Sequence, residues 1–179
     1  EISECLVGSE MCIRDRFLFN ALYLGFSMGV APVISFQYGA KNSEKLSNVY
    51  HISNRFVKIS SGFMAVASVL LAKPITSVFV SESSHTFAMT VTGFALFGIN
   101  YLFSGYNVFT SSLFTALSDG KTSALVSFSR TFVCILASLL ILPQIIGLKG
   151  VWLAVPVAEF VTSGLSFYCQ RRNLSKYGI

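Results

Sequence analysis

The sequence has few charged residues. Only 12% of its 179 residues are Asp, Glu, Lys or Arg and 53% are hydrophobic, whereas soluble domains are about 25% charged. Together with long apolar runs, this deficit excludes an ordinary soluble domain and indicates an integral membrane protein. The formal net charge of +5 does not indicate nucleic acid binding, because the basic residues form no stripe with interleaved aromatics and lie mostly between the apolar runs.

The motifs of enzymes and metal sites are also missing from the sequence. The four cysteines form no CxxC pair and no Cys/His cluster, and Cys134 and Cys169 lie inside apolar runs, where cysteine acts as a small hydrophobe. No Ser/His/Asp set, no paired carboxylates and no phosphate-binding glycine loop is present. We therefore expect no enzyme activity, no cofactor and no bound metal.

Residues 1–16, EISECLVGSEMCIRDR, differ in composition from the rest of the chain. They are polar, carry six charges of mixed sign and show no clear helical periodicity. They lack the apolar core of a signal peptide, and they resemble translated sequencing-adapter read-through. We expect a non-native or unstructured segment here, a membrane domain over residues 17–179, and more native chain upstream.

Apolar runs long enough to cross a membrane fill most of the remaining chain. Crossing about 30 Å of hydrocarbon takes roughly 20 helical residues. The runs cover residues 17–38, 56–80, 87–117, 123–142 and 150–170, which predicts an all-α polytopic membrane protein with five transmembrane helices. Basic residues concentrate after the first, third and fifth runs, at Lys41, Lys45, Lys121, Arg171 and Arg172, which predicts a cytoplasmic location for these gaps and for the C-terminus.

Glu159 is the only acidic residue in the run 150–170. A carboxylate at the centre of a membrane costs about 2.5–3.5 kcal/mol on insertion scales. We therefore expect Glu159 to line an aqueous cavity, to meet a cation or to carry a proton.

Arg130 is the predicted partner of Glu159. The two residues lie inside antiparallel neighbouring spans, at depths that differ by roughly 6 Å at a rise of ~1.5 Å per residue. Their ion pair is either structural, or Glu159 exchanges a proton and Arg130 favours its charged form.

A polar stripe runs along the third span. Asn100, Ser104, Asn107 and Ser111 follow one another at steps of four, three and four, which places them on one face of a helix. The stripe is explained either by hydrogen bonding between helices or by a cavity wall. With Glu159, Arg130 and the flanking Tyr106, these residues are our candidates for a substrate or ion pathway.

Small residues and prolines interrupt two of the spans. Gly25 and Gly29 are four residues apart, a spacing that permits close helix packing. Pro32 and Pro156 lie inside the first and fifth spans, where a proline bends a helix or removes a backbone hydrogen bond. These four positions are either packing sites or hinges. Pro143 and Gly147 predict the end of the fourth span.

Three stretches of the sequence resemble one transporter family. LGFSMGVAPVISFQYGAKN at residues 24–42 is similar to the second helix of each half in the multidrug and toxic compound extrusion (MATE) family. Leu113–Lys121 resembles the end of its tenth helix, and GLKGVWLAVPVAEF at residues 147–160 resembles the start of its twelfth, particularly in bacterial members. The resemblance implies a twelve-helix protein with two lobes, in which residues 17–179 supply helices eight to twelve of the C-terminal lobe.

This resemblance implies a secondary active transporter in the bacterial cytoplasmic (inner) membrane. It would export cationic or amphipathic organic compounds, coupled to Na⁺ or H⁺, with a cytoplasmic C-terminus. The implied partners are the lipid bilayer, helix seven and the N-terminal lobe of the same protein, and small organic cations, with no nucleic acid. Some members carry a carboxylate in helix ten, but Tyr106 and Asn107 stand there in this chain, so coupling would rest on Glu159 or on acids elsewhere in the protein.

Two other functions remain open at this point. A lipid-linked oligosaccharide flippase or polysaccharide exporter of the same superfamily would show more basic residues facing the cavity than Arg130 alone. A non-transporting membrane scaffold would direct Glu159 at a protein partner.

Overall fold

The computed structural model describes residues 2–79, 87, 91–93 and 98–179, and the regular structure in these residues is helical throughout. Helix α1 spans Ile2–Gly39, α2 spans Ser43–Phe79 and α3 spans Asn100–Ala116. Helix α4 spans Gly120–Ile146, α5 spans Leu148–Asn173, and a 3₁₀ turn follows at Leu174–Tyr177. The all-helical fold predicted from the apolar runs is confirmed.

Helices α1, α2, α4 and α5 are longer than the predicted spans. Helix α1 includes residues 2–16, so the expectation of an unstructured segment there is wrong, whereas its foreign origin stays a prediction. Helix α4 continues through Pro143 to Ile146, so Pro143 does not end the span, and Gly147, with φ of 67°, forms the turn instead. Much of the predicted span at 87–117 lies outside the described residues, so its start and the number of spans stay predictions.

Short turns with specific caps connect the helices. Lys41 and Ser118 adopt positive φ angles of 54° and 62°, which few residues other than glycine do. The Asn42 side chain accepts a hydrogen bond from the Lys45 amide at 3.1 Å at the start of α2, as N-cap residues do. Asp119 is the N-cap of α4 and accepts from the Thr122 amide at 3.1 Å. Such short connections make consecutive helices antiparallel neighbours.

The bundle has a polar interior and an apolar exterior. In α2 the buried residues repeat at helical spacing and include Ser53, Ser61 and Ser68, while Phe63 and Leu70 are about 70% exposed (69% and 71%). Lipid solvates apolar side chains but leaves polar groups unsatisfied, so this arrangement suits a membrane. By length and composition, the segments Ser43–Ser77 and Gly120–Ile146 could cross one.

Helix α3 lies at the centre and contacts α1, α2, α4 and α5. Gly105 permits the close approach of α1 and α2, because a Cβ there would lie 2.7 Å from both Ser61 Oγ and Tyr23 Cε1. Towards its C-terminal end, α3 contributes Leu113 and Phe114 to an apolar core. Apolar packing therefore fixes one end of the bundle, and the polar stripe occupies the rest of α3.

Candidate functional site

Glu159 lies in the interior of the bundle and is only 1% exposed. Its Oε1 accepts a hydrogen bond from Arg130 Nε at 2.8 Å, and this is the ion pair expected from the depths of the two residues. Its Oε2 accepts from Asn107 Nδ2 at 2.7 Å. A cation and an amide thus take the place of water around this carboxylate, as burial of a charge requires.

Asn107 joins α3 to α5 through both ends of its amide. The nitrogen donates to the carboxylate and also to the Glu159 backbone carbonyl at 2.9 Å. The oxygen accepts from Ser166 Oγ at 2.8 Å. The carboxylate and the backbone carbonyl of Glu159 can only accept, so they fix the NH₂ end of the amide towards Glu159, and the Ser166 hydroxyl donates to the other end.

Arg130 reaches this site from a widened turn of α4. Residues Ser129–Cys134 form a π-helical turn within the otherwise α-helical segment, and such turns recur at functional sites. The guanidinium also donates from Nη2 to Ser104 Oγ at 3.2 Å, and Ser104 donates to Asn20 Oδ1 at 2.7 Å. The chain of contacts from Glu159 therefore crosses α5, α4, α3 and α1.

The remaining candidates from the polar stripe do not touch Glu159. Ser111 is hydrogen bonded to Ser127 at 2.6 Å and to Ser123 at 3.2 Å, and so joins α3 to α4. Asn100 is 0% exposed, and its amide has no hydrogen-bond partner among the described residues. The structure thus brings Ser104 and Asn107 together with the ion pair, whereas Ser111 acts in helix–helix bonding.

Tyr106 belongs to a second cluster centred on Gln170. The Gln170 side chain accepts from the hydroxyls of Tyr50 and Tyr106, each at 2.9 Å, and donates to Thr110 Oγ1 at 2.8 Å. This neutral cluster joins α2, α3 and α5 and is nearly saturated, because three of the four bonds available to an amide are made. We call it the Gln170 cluster, and we call Glu159, Arg130, Asn107, Ser104 and Ser166 the Glu159 cluster.

Sequence reasoning missed the residues that come from distant segments. In the sequence each of them is a single polar group in an apolar stretch: Asn20, Tyr50, Thr110, Ser166 and Gln170. A partial signal was present in α5, where Ser166 lies seven residues after Glu159 and hence on the same face. No comparable signal in the sequence indicates the π-helical turn.

The four glycine and proline positions proposed as hinges or packing sites lie inside continuous helices. A Cβ at Gly25 or Gly29 would meet nothing within 4 Å, so no described helix packs closely against this pair. Helices α1 and α5 continue through Pro32 and Pro156 respectively. A role as hinges stays a prediction for all four.

Asp119 and Tyr177 form a polar contact at the end of the bundle where α3 turns into α4. Asp119 Oδ2 accepts from Thr122 Oγ1 at 2.7 Å and from Tyr177 OH at 3.0 Å. The bond from Thr122, above all, lowers the pKa of Asp119. Burial, and then the bond to the carboxylate, raises the pKa of Tyr177 to about 12. This contact holds the C-terminal turn against the helix ends and lies outside the membrane segments.

The charge of Glu159 determines which hydrogen bonds the Glu159 cluster can make. A charged Glu159 accepts from Arg130 and from Asn107, but a protonated carboxyl carries its own donor and no longer balances the guanidinium. Among the described residues no group of three or more His, Cys, Asp or Glu could hold a metal ion.

Comparisons with known proteins give a family and a fold. The sequence model of the MatE family matches residues 10–140, and no curated protein matches the chain. A multidrug resistance MATE family transporter of the MOP superfamily, in its outward-facing conformation, is similar with a TM-score of 0.87 and 20% identity over 98% of this chain and 40% of that one.

The same fold is found in other conformations of such transporters. An inward-facing multidrug resistance MATE transporter gives a TM-score of 0.83 at 21% identity, over 93% of this chain and 39% of that one. The Vibrio cholerae MATE transporter VcmN in the bent form gives 0.86 at 18% identity, over 97% and 40%. The chain thus spans about 40% of the length of the structures it resembles.

Proposed function

Because this chain belongs to the MatE family, we propose that it forms the C-terminal lobe of a secondary active efflux transporter. The proposed substrates are cationic or amphipathic organic compounds, and the driving force is an opposing cation gradient across the bacterial inner membrane. In this proposal the chain supplies helices eight to twelve, and its C-terminus faces the cytoplasm.

The observation that carries the proposal is the buried charge of Glu159. Its carboxylate is 1% exposed, yet Arg130, its counter-ion, is 19% exposed at the side chain. Ionisable residues inside a membrane mark ion pathways and proton relays. A pair with one partner enclosed and the other partly open suits a group that changes its charge when the cavity opens.

A proton suits the Glu159 cluster better than Na⁺ as the coupling ion. Both carboxylate oxygens already face N–H donors, at 2.8 Å from Arg130 and 2.7 Å from Asn107. A sodium ion bound to Oε1 would lie next to a guanidinium and would be repelled by it, whereas a proton neutralises the carboxylate and needs no coordination shell. Arg130 is then released and can find a different partner.

Protonation of Glu159 would act on the contact between helices. The carboxylate links α5 to α4 through Arg130 and to α3 through Asn107, so its neutralisation weakens two helix contacts in one step. Alternating access in such carriers is largely a rocking motion of one bundle against another. The likeness of this fold to both outward-facing and inward-facing transporters supports a lobe that moves as a unit.

The test is transport by the complete gene product that contains this chain, with Glu159→Gln as the variant. Ethidium efflux is measured in proteoliposomes with either a pH gradient or a Na⁺ gradient. We expect efflux driven by the pH gradient in the original protein and its abolition in the variant, with the amount of folded protein unchanged. Glu44→Gln, which changes an exposed acid at the start of α2, is the matched control.

Other outcomes would contradict parts of the proposal. Normal pH-driven efflux in Glu159→Gln would remove Glu159 as a coupling group. Efflux driven only by Na⁺ would contradict the proton. If the original protein moved no organic cation and Glu159→Gln impaired only its assembly, the scaffold interpretation would replace efflux.

A further inference from the structure

A groove with a volume of about 390 Å³ lies between α2, α3 and α5. Its walls include Phe103 and Phe167, and Gly164 leaves its floor open because a Cβ there would meet nothing within 4 Å. Ligand pockets have volumes of about 300–1,000 Å³. The groove is therefore large enough for part of a ligand.

Lys58 lines this groove without a counter-ion. It is exposed, and the described residues provide it with no salt bridge and no hydrogen bond. Tyr50 is hydrogen bonded to Gln170, which is the last residue of the predicted fifth span. The two residues therefore lie at about the same depth in the membrane. Lys58 follows Tyr50 by eight residues, which places its Cα about 12 Å farther into the membrane. A cation at this depth requires an anion or a route to the interface.

Further cations lie at the cytoplasmic mouth of the groove. Arg171 stacks on the ring of Phe167, with 4.7 Å between the guanidinium carbon and the ring centroid. Arg55 precedes Lys58 by three residues and so lies on the same side of α2. The mouth is therefore positively charged and the walls are aromatic.

Ser61 lines the groove but offers a ligand little polar surface. Its side chain is 3% exposed, and its oxygen is enclosed without a hydrogen-bond partner among the described residues. The attraction for an anion therefore comes from Lys58 and from the cations at the mouth of the groove.

We propose that this groove binds an anionic phospholipid from the cytoplasmic leaflet. The phosphate interacts with Lys58 and Arg171, and an acyl chain packs against Phe103 and Phe167. Basic pockets between transmembrane helices on the cytoplasmic side are suited to such headgroups. The positive charge disfavours a cationic drug in this groove. Tyr106, a sequence-based candidate for the substrate or ion pathway, lines the groove and in this proposal faces the lipid instead. The inference rests on the proposed membrane orientation but does not depend on efflux.

The test is lipid retention by the complete gene product that contains this chain, measured by native mass spectrometry. The purified protein is equilibrated with equal amounts of phosphatidylglycerol and phosphatidylcholine in mixed vesicles. We expect preferential retention of phosphatidylglycerol, and about fivefold weaker retention in Lys58→Gln, since one basic residue near anionic lipid contributes about that factor. Arg171→Gln should reduce retention in the same direction.

Lys73→Gln is the matched control, because Lys73 is an exposed lysine at the other end of α2 and does not line the groove. Equal losses in Lys58→Gln and Lys73→Gln, or equal retention of the two lipids, would overturn the proposal. Displacement of phosphatidylglycerol by inorganic phosphate would indicate a site for free phosphate instead. Circular dichroism checks helix content, and if Lys58→Gln lost it, Arg171→Gln would provide the second variant.

Discussion

The Glu159 cluster and the Gln170 cluster lie three turns apart on α5 and use the same central helix, but they differ in charge. In the Gln170 cluster, one amide bonds to three neutral hydroxyls, and no proton transfer near neutral pH alters any of these groups. In the Glu159 cluster, one carboxylate depends on a guanidinium from α4. The bonds of the first cluster do not depend on a charged group, whereas the bond between α4 and α5 in the second is an ion pair.

The two clusters also differ in how they are closed. Tyr50, Tyr106 and Thr110 surround Gln170 with side chains from α2 and α3, which the apolar core around Phe109 and Leu113 holds in place. Arg130 reaches Glu159 from a π-helical turn in which the structure finds no buried residue. The neutral Gln170 cluster and the charged Glu159 cluster therefore share helices α3 and α5.

The largest effect is expected from removal of the cation in the Glu159 cluster. Arg130→Met leaves a buried carboxylate without its partner, which costs about 3–5 kcal/mol in unfolding free energy. Thermal unfolding in detergent measures this loss.

The double variant Arg130→Met/Glu159→Gln sharpens this comparison. Removal of both charges should recover most of the stability, because well-packed neutral groups often replace a buried ion pair at no cost. A double variant as unstable as Arg130→Met would mean that the loss of stability comes from the missing Arg130 side chain and not from an unpaired charge on Glu159.

A smaller effect, without pH dependence, is expected in the neutral cluster. Gln170→Leu leaves the hydroxyls of Tyr50 and Tyr106 without an acceptor and should cost about 2 kcal/mol. The melting temperature should fall by the same amount at pH 5 and pH 8. Gln144→Leu, at an exposed position of α4, is the control and should change little; a strong pH dependence of Gln170→Leu would break the distinction between the clusters.

A change of about 1 kcal/mol is expected from Ser166→Ala. This variant removes the hydroxyl that donates to the Asn107 amide oxygen, so the amide that donates to Glu159 is held less firmly. Proton-coupled efflux by the complete gene product should weaken more than stability does. Ser163→Ala, which loses only a bond to the carbonyl of Phe160 in its own helix, is matched in chemistry and should leave efflux unchanged.

The smallest effect is expected at Asp119, a carboxylate outside the membrane. Hydrogen bonds lower its pKa in the folded state, so its contribution to stability is complete above the unfolded pKa and is lost as pH falls through the folded pKa. Asp119→Asn keeps a helix cap and should cost only a few tenths of a kcal/mol at pH 7. The decrease in melting temperature below pH 4 should be smaller in this variant than in Tyr177→Phe, which keeps the charge; equal decreases would mean that Asp119 is not the source of the acid sensitivity.

Much of the fold could be predicted because a membrane imposes simple rules on sequence. The apolar runs gave the helices, and the depths of Arg130 and Glu159 in adjacent spans predicted their contact. The spacing of Ser104 and Asn107 placed both on the face that meets the ion pair. These predictions depend only on the rise per residue of an α-helix and on the antiparallel arrangement of consecutive spans.

The parts that could not be predicted depend on contacts between distant segments or on local backbone geometry. Gln170 is hydrogen bonded to Tyr50, which lies 120 positions away in the chain. Neither residue belongs to a polar stripe at helical spacing that could have indicated this contact. Pro143 was expected to end α4, but a proline can lie within a helix if the backbone around it adjusts. The helical structure of residues 2–16 also lacks a periodic signal in the sequence.

The π-helical turn at Ser129–Cys134 gives α4 one spare residue. An α-helix turns about 100° per residue, so an unbroken helix with the same number of residues would rotate everything beyond the turn by that angle. Deletion of Thr131, which lies inside the turn, should convert the turn to ordinary α-helix. Ser123 and Ser138, on either side of it, should then still point towards the same neighbouring helices. Such a deletion would move Arg130 relative to Glu159 and leave the two ends of α4 in phase, so the position of the charge can be altered independently of the scaffold that holds it.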